Sequence, residues 1–120
     1  MNKKLPDHIA NICWRGGTEP PFSGKYNDFY ENGSYHCVSC DQILFTSKHK
    51  YNSYSGWPSY FDSIGDVELI HDYSHGMIRT EVKCANCQAH LGHVFDDGPE
   101  PTGKRFCINS LVLAFRSEEQ

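Results

Sequence analysis

The chain has 120 residues, 38% of them apolar, and a formal charge of −4 from 15 acidic and 11 basic side chains. That length holds one domain, read as residues 1–120, and its modest apolar content calls for a metal or disulfides beside the core. Scattered, net-negative charge excludes the basic stripe of a nucleic-acid binder, no apolar run approaches the ~20 residues of a membrane span, and MNKKLPDHIAN lacks a signal peptide's apolar segment, so a cytoplasmic, reducing setting is expected.

In chain order, LPDHIANICWRGG predicts a helix over residues 5–15: Leu5, Ile9 and Ile12 share a stripe, Pro6 stands early, and Gly16 and Gly17 stop it. A β core over 16–116 is expected to follow. Asn32-Gly33 is a hairpin signal joining DFYE to SYHCVSC, and QILFTS reads as a further strand. In SGWPSY, Pro58 forces Trp57 extended, so the indole can be displayed from a loop as an apolar wall, although burial in a core is the commoner use of tryptophan. Ser74-His75-Gly76 turns VELIHDY back onto MIRTEVKC, and strands are expected around AHLGHVF and along KRFCINSLVLAF. The fold class is mainly β, built of short antiparallel strands.

Within KRFCINS, strand alternation puts Arg105, Cys107 and Asn109 on one face and Phe106 and Ile108 on the other, with Leu111, Leu113 and Phe115 continuing the first face. A thiol packed as a small hydrophobe belongs among apolar groups, whereas Cys107 lies between a cation and an amide. Arg105 would favour its thiolate, the attacking form. His90-Leu-Gly-His93 offers two imidazoles suited to proton transfer near neutral pH. Regular alternation separates them, but a bulge at Gly92 would aim both into one site.

Cys37-Val-Ser-Cys40 and Cys84-Ala-Asn-Cys87 each present two sulfurs from one tight turn, the half-site geometry of a four-thiolate zinc. Residues 41–83 lie between them, longer than the gap of a short zinc ribbon, which favours two hairpins clamped by one structural ion. Thiol–disulfide motifs are the other use of such pairs, and iron takes the same four sulfurs. Two cysteines remain. Cys13 extends the apolar face of the predicted helix, so packing is one explanation for it, and Cys107 has the polar company described above.

GTEPPFSGKY, YHCVSC, GWPSY, KCANCQAHLGHVFDDGPEPTGKRFCINS and the terminal LAF, in this order over about residues 16 to 115, resemble the methionine-R-sulfoxide reductase B family. The resemblance implies a fold of two antiparallel sheets (a β-tent), one structural zinc on Cys37, Cys40, Cys84 and Cys87, and reduction of methionine-R-sulfoxide in peptides and proteins, with thioredoxin as electron donor. That activity belongs to protein repair under oxidative stress. By position Cys107 is the nucleophile, and Trp57, His90, His93, Arg105 and Asn109 line the substrate pocket. Tyr60 stands where phenylalanine is usual and is expected at the pocket rim. His90 or His93 would protonate the sulfoxide oxygen as Cys107 becomes a sulfenic acid. Many members carry a resolving cysteine where this chain has Ser55. Cys13 is then the candidate to form a disulfide with Cys107, the alternative being direct reduction by thioredoxin or a small thiol. A non-catalytic zinc β-tent that binds a protein or ligand is the competing reading, and Cys107 beside Arg105 and Asn109 distinguishes the two.

Overall fold

The computed structural model describes residues 4–118. Among them, strands form two antiparallel sheets. The smaller has the order β2-β1-β9, from β1 (Gly33–Cys37), β2 (Ile43–Thr46) and β9 (Leu113–Ser117). The larger runs β3-β4-β8-β7-β6-β5, from β3 (Lys50–Tyr51), β4 (Ser59–Tyr60), β5 (Val67–Asp72), β6 (Arg79–Cys84), β7 (His90–Phe95) and β8 (Arg105–Ile108). Helix α1 (Asp7–Arg15) follows Pro6, and its buried residues are Ile12 and Cys13. It packs on β7 and on the turn Ser110–Val112. No helix is long and apolar enough to cross a membrane.

Aromatic side chains join the two sheets. Tyr35 and Phe45 from the small sheet meet Tyr60 and Phe106 from the large one, with Phe45 stacked on Tyr60 at 4.4 Å between centroids and Tyr35 edge-on to Tyr60 at 5.3 Å. Tyr60 is fully buried in this contact. It is therefore a core residue rather than the rim residue expected from the sequence. On β4, Ser59 pairs with Cys107 while Tyr60 pairs with Phe106, so alternation sends Tyr60 inward and away from the thiol.

Two expectations about strands are corrected. DFYE is not a strand, and β1 pairs instead with β2 and β9. Gly33 serves close approach rather than a two-residue hairpin turn, because a Cβ there would lie 2.2 Å from the Arg116 carbonyl oxygen of β9. KRFCINSLVLAF is not one strand either. It breaks at Asn109 into β8 and β9, which belong to different sheets. The buried Glu19 carboxylate accounts for the break: it accepts the Ser110 N–H at 2.9 Å and the Leu111 N–H at 3.0 Å, removing both amides from any ladder. Leu111, Leu113 and Phe115 consequently do not continue the face of Cys107.

The bulge expected near Gly92 is present on β7. Val82 pairs with Gly92 and Lys83 with His90, leaving Leu91 as the extra residue. Its carbonyl accepts the Asn109 backbone N–H and the Asn109 Nδ2, both at 3.0 Å. Gly92 also lets β8 approach, since a Cβ would meet the Cys107 carbonyl oxygen at 2.1 Å and the Ile108 Cα at 3.0 Å. Backbone cannot yield as a flexible side chain does. Gly92→Ala is expected to cost about 3 kcal/mol, read as a lower urea midpoint, because it overpacks the strand pair that carries the thiol.

Candidate active site and metal centre

The two CxxC turns are built alike. Each closes a strand, β1 or β6, with the residue after its second cysteine turned left-handed: Asp41 at φ 67° and Gln88 at φ 69°. Asp41 N–H donates to Cys37 O at 2.9 Å, and Gln88 N–H donates to Cys84 O at 2.8 Å. The four sulfurs lie within 4.8 Å of one another, with Cys37–Cys87 and Cys40–Cys84 both at 3.6 Å. A tetrahedral ion with metal–sulfur arms of ~2.3 Å needs sulfur–sulfur edges of about 3.8 Å, so the cluster fits one metal ion. Cys84 is pulled down to about 5, first by the hydrogen bond from Cys37 and then, against its burial, by the Cys87 and Asn86 amides. The same hydrogen bond and burial push the Cys37 thiol up, so the pair shares one proton and favours a single thiolate, on Cys84.

Cys107 lies elsewhere, on the outward face of β8. Alternation buries Phe106 and Ile108 and leaves Arg105 and Cys107 half-buried at a cleft of about 140 Å³. Trp57, His93 and Asn109 also line it. His93 is the cross-strand partner of Cys107. A groove of about 740 Å³ between α1, the loop 18–26 and β9 is larger but contains no thiol. The smaller cleft gathers the reactive groups and is the candidate active site.

Each of these side chains is held. Trp57 Nε1–H donates to Glu19 O at 3.0 Å, and Asn109 Oδ1 accepts from Glu19 N–H at 3.0 Å. Glu19 thus fixes the indole, the amide and the turn after β8 together. Arg105 forms a bidentate pair with Asp97, Nε–Oδ1 2.8 Å and Nη2–Oδ2 3.0 Å, and lies 4.4 Å over the Phe95 ring. Ser55 Oγ is 3.4 Å from Cys107 Sγ and 2.8 Å from Ser53 Oγ. A hydroxyl therefore occupies the flank of the thiol.

The two histidines differ. His93 reaches the cleft, and its Nε2 lies 2.8 Å from Asp72 Oδ2. Burial lowers the His93 pKa and the Asp72 hydrogen bond opposes that. His90 is buried, does not line the cleft, and places Nδ1 2.6 Å from Glu81 Oε2. The rings stand edge-on, 5.4 Å apart. Cys13 does not line the cleft either. It is 2% exposed on α1, and its thiol is pushed up to about 11 by burial, then by the charges of Cys87 and Cys84.

Arg79, Phe95 and Thr18 line the cleft without having been singled out in the sequence. Asp72, Glu81 and Glu19 were missed as well. Strand register and long-range contacts bring them in, and only the position of Glu19 within GTEPPFSGKY offered a signal.

The SelR domain family matches residues 5–117. The protein named Peptide methionine sulfoxide reductase MsrB from Thioalkalivibrio sulfidiphilus (strain HL-EbGR7) is 56% identical over 119 residues, covering 98% of this chain and 87% of that one. A protein of the same name from Pseudomonas fluorescens (strain Pf0-1) is 60% identical over 105 residues, covering 86% of this chain and 80% of that one.

Proposed function

This chain belongs to the SelR-domain family of MsrB peptide methionine sulfoxide reductases, and on that premise we propose that Cys107 is the nucleophile with which it reduces methionine-R-sulfoxide in peptides and proteins. The observation that carries the reading is the pairing of Cys107 with His93 across β7 and β8 in a cleft walled by Trp57. A thiol, a proton donor and an apolar wall are what the reaction requires.

The sulfoxide sulfur is electrophilic, but its oxygen leaves poorly unless protonated. The Cys107 thiolate attacks, His93 gives its proton to the oxygen, and the oxygen ends on Cys107 as a sulfenic acid while methionine departs. His93 is assigned this role over His90 because it faces the cleft. The Trp57 indole holds the S-methyl group and so selects the epimer. Asn109, Arg105 and the bulge at Leu91 fix the strand that presents the thiol. Restoring Cys107 takes two thiols, which become a disulfide as water leaves. We assign them to thioredoxin in the cytoplasm, acting directly on the sulfenic acid.

Zn²⁺ is the ion proposed for Cys37, Cys40, Cys84 and Cys87, since four thiolates suit it and leave no open position for water. When bound it supplies a structural cross-link between the CxxC turns of the two sheets.

The test is a single turnover of reduced protein with each epimer of a methionine-sulfoxide peptide. One equivalent of methionine from the R epimer alone, with a trappable sulfenic acid on Cys107, is expected. No methionine from folded, metal-loaded protein would favour the binding-module reading instead. Cys13→Ser is expected to keep thioredoxin-supported turnover, because a buried thiol held at about 11 is almost wholly protonated near neutral pH. Loss of turnover in that variant, with the single-turnover yield spared, would instead make Cys13 the resolving thiol.

A further inference from the structure

We propose that Asp72, at the end of edge strand β5, is a positioning residue for the reaction: its carboxylate holds the His93 ring by Nε2 and stabilises the protonated imidazole that faces Cys107. This inference rests on the assignment of His93 as proton donor.

The geometry separates the two oxygens of Asp72. Oδ1 accepts the Ser74 N–H at 3.0 Å, closing the turn after β5. Oδ2 is left to His93 Nε2 at 2.8 Å and Arg79 Nη2 at 3.5 Å. The His93 hydrogen bond first, and the Ser74 amide next, hold this carboxyl well below the usual carboxylate range. Asp72 is therefore an acceptor only, and the nitrogen facing it must carry hydrogen. Nε2–H is fixed, which leaves Nδ1 as the nitrogen that gains and loses the mobile proton. His90 is engaged through its other nitrogen, Nδ1, by Glu81. The two neighbouring rings are thus set in opposite tautomers by different carboxylates.

Around His93 the charges divide. Burial disfavours its protonated form most, and Arg79 from β6 and His90 from β7 act in the same direction. On β8, Cys107 stands opposite, and the Arg105 guanidinium is paired with Asp97. Glu81 of β6 is the cross-strand partner of His93, but its carboxylate is turned to His90. Asp72 is the carboxylate hydrogen-bonded to His93 among the described residues. Removing its charge leaves burial, Arg79 and His90 unopposed, so the ring gives up its proton at lower pH.

Asp72→Asn keeps an acceptor for Nε2–H and removes the charge. The measurement is the single-turnover rate of methionine formation between about pH 5 and 9 for wild type, Asp72→Asn, Asp72→Glu and His93→Gln. In wild type the rate falls on the alkaline side as His93 deprotonates. Asp72→Asn is expected to move that limb about one unit lower, a loss of roughly tenfold at pH values above it, whereas Asp72→Glu holds the limb in place. His93→Gln should lack the limb. If His93→Gln lacks it but Asp72→Asn leaves it unmoved, even with a rate lowered equally at every pH, the role given to Asp72 is overturned and His93 stands as donor. A limb that persists in His93→Gln overturns both assignments. Should Asp72→Asn not fold, Asp72→Ser, a smaller neutral acceptor, makes the same comparison.

Discussion

Cys107→Ala abolishes methionine formation even in a single turnover, with an expected loss of about 10⁴-fold or more, as for removal of any nucleophile that no neighbour can replace. The prediction is sharp because the side-chain hydroxyl beside Cys107 Sγ, Ser55 Oγ at 3.4 Å, is an alcohol whose deprotonation near neutral pH is far less favourable than a thiol's. Cys107→Ser meets the same limit and should be equally inactive. Stability should barely change, since the side chain is half-buried on the outward face of β8 and leaves Phe106 and Ile108 in the core. The check pairs methionine yield with a thermal melt. An inactive variant that melts like the parent places the chemistry on this thiol, and retained single-turnover activity would remove Cys107 from the reaction.

Loss of the metal proposed for the four cysteines has the largest expected effect on stability. The four sulfurs come from turns at the ends of β1 and β6, strands of different sheets, so an ion held there would tie together elements that also meet through an aromatic core. Withdrawing it leaves the partly buried sulfurs as mutually repelling thiolates or as thiols with poor partners. Cys40→Ala, or extraction of the metal by a strong chelator, should cost at least about 4 kcal/mol, equivalent to a fall in Tm of roughly 15 °C for a chain of this length. Metal content by mass spectrometry should fall from one ion per chain to none in parallel. A chelated protein whose four cluster thiols have become titratable, with an unchanged Tm, would refute a structural metal here.

Much of this was legible in the chain itself. The CxxC spacing announced both turns because the pattern is local: two sulfurs on one tight turn need only a few residues to set their geometry. Period-two alternation placed Arg105 and Cys107 outside and Phe106 and Ile108 inside, since pleating is a property of the strand alone. Gly92 pointed to the bulge, and the resemblance carried the reaction class. Tertiary structure decided the rest. Tyr60 turned inward because register with β8 set its face, and KRFCINSLVLAF broke at Asn109 because the Glu19 carboxylate, about ninety residues earlier, took the Ser110 and Leu111 amides. The division between His90 and His93 came from carboxylates on other strands, Glu81 on β6 and Asp72 on β5. Such partners are chosen by which strands lie side by side, and the free energy that selects that arrangement is a sum over the whole core rather than a property of any one segment.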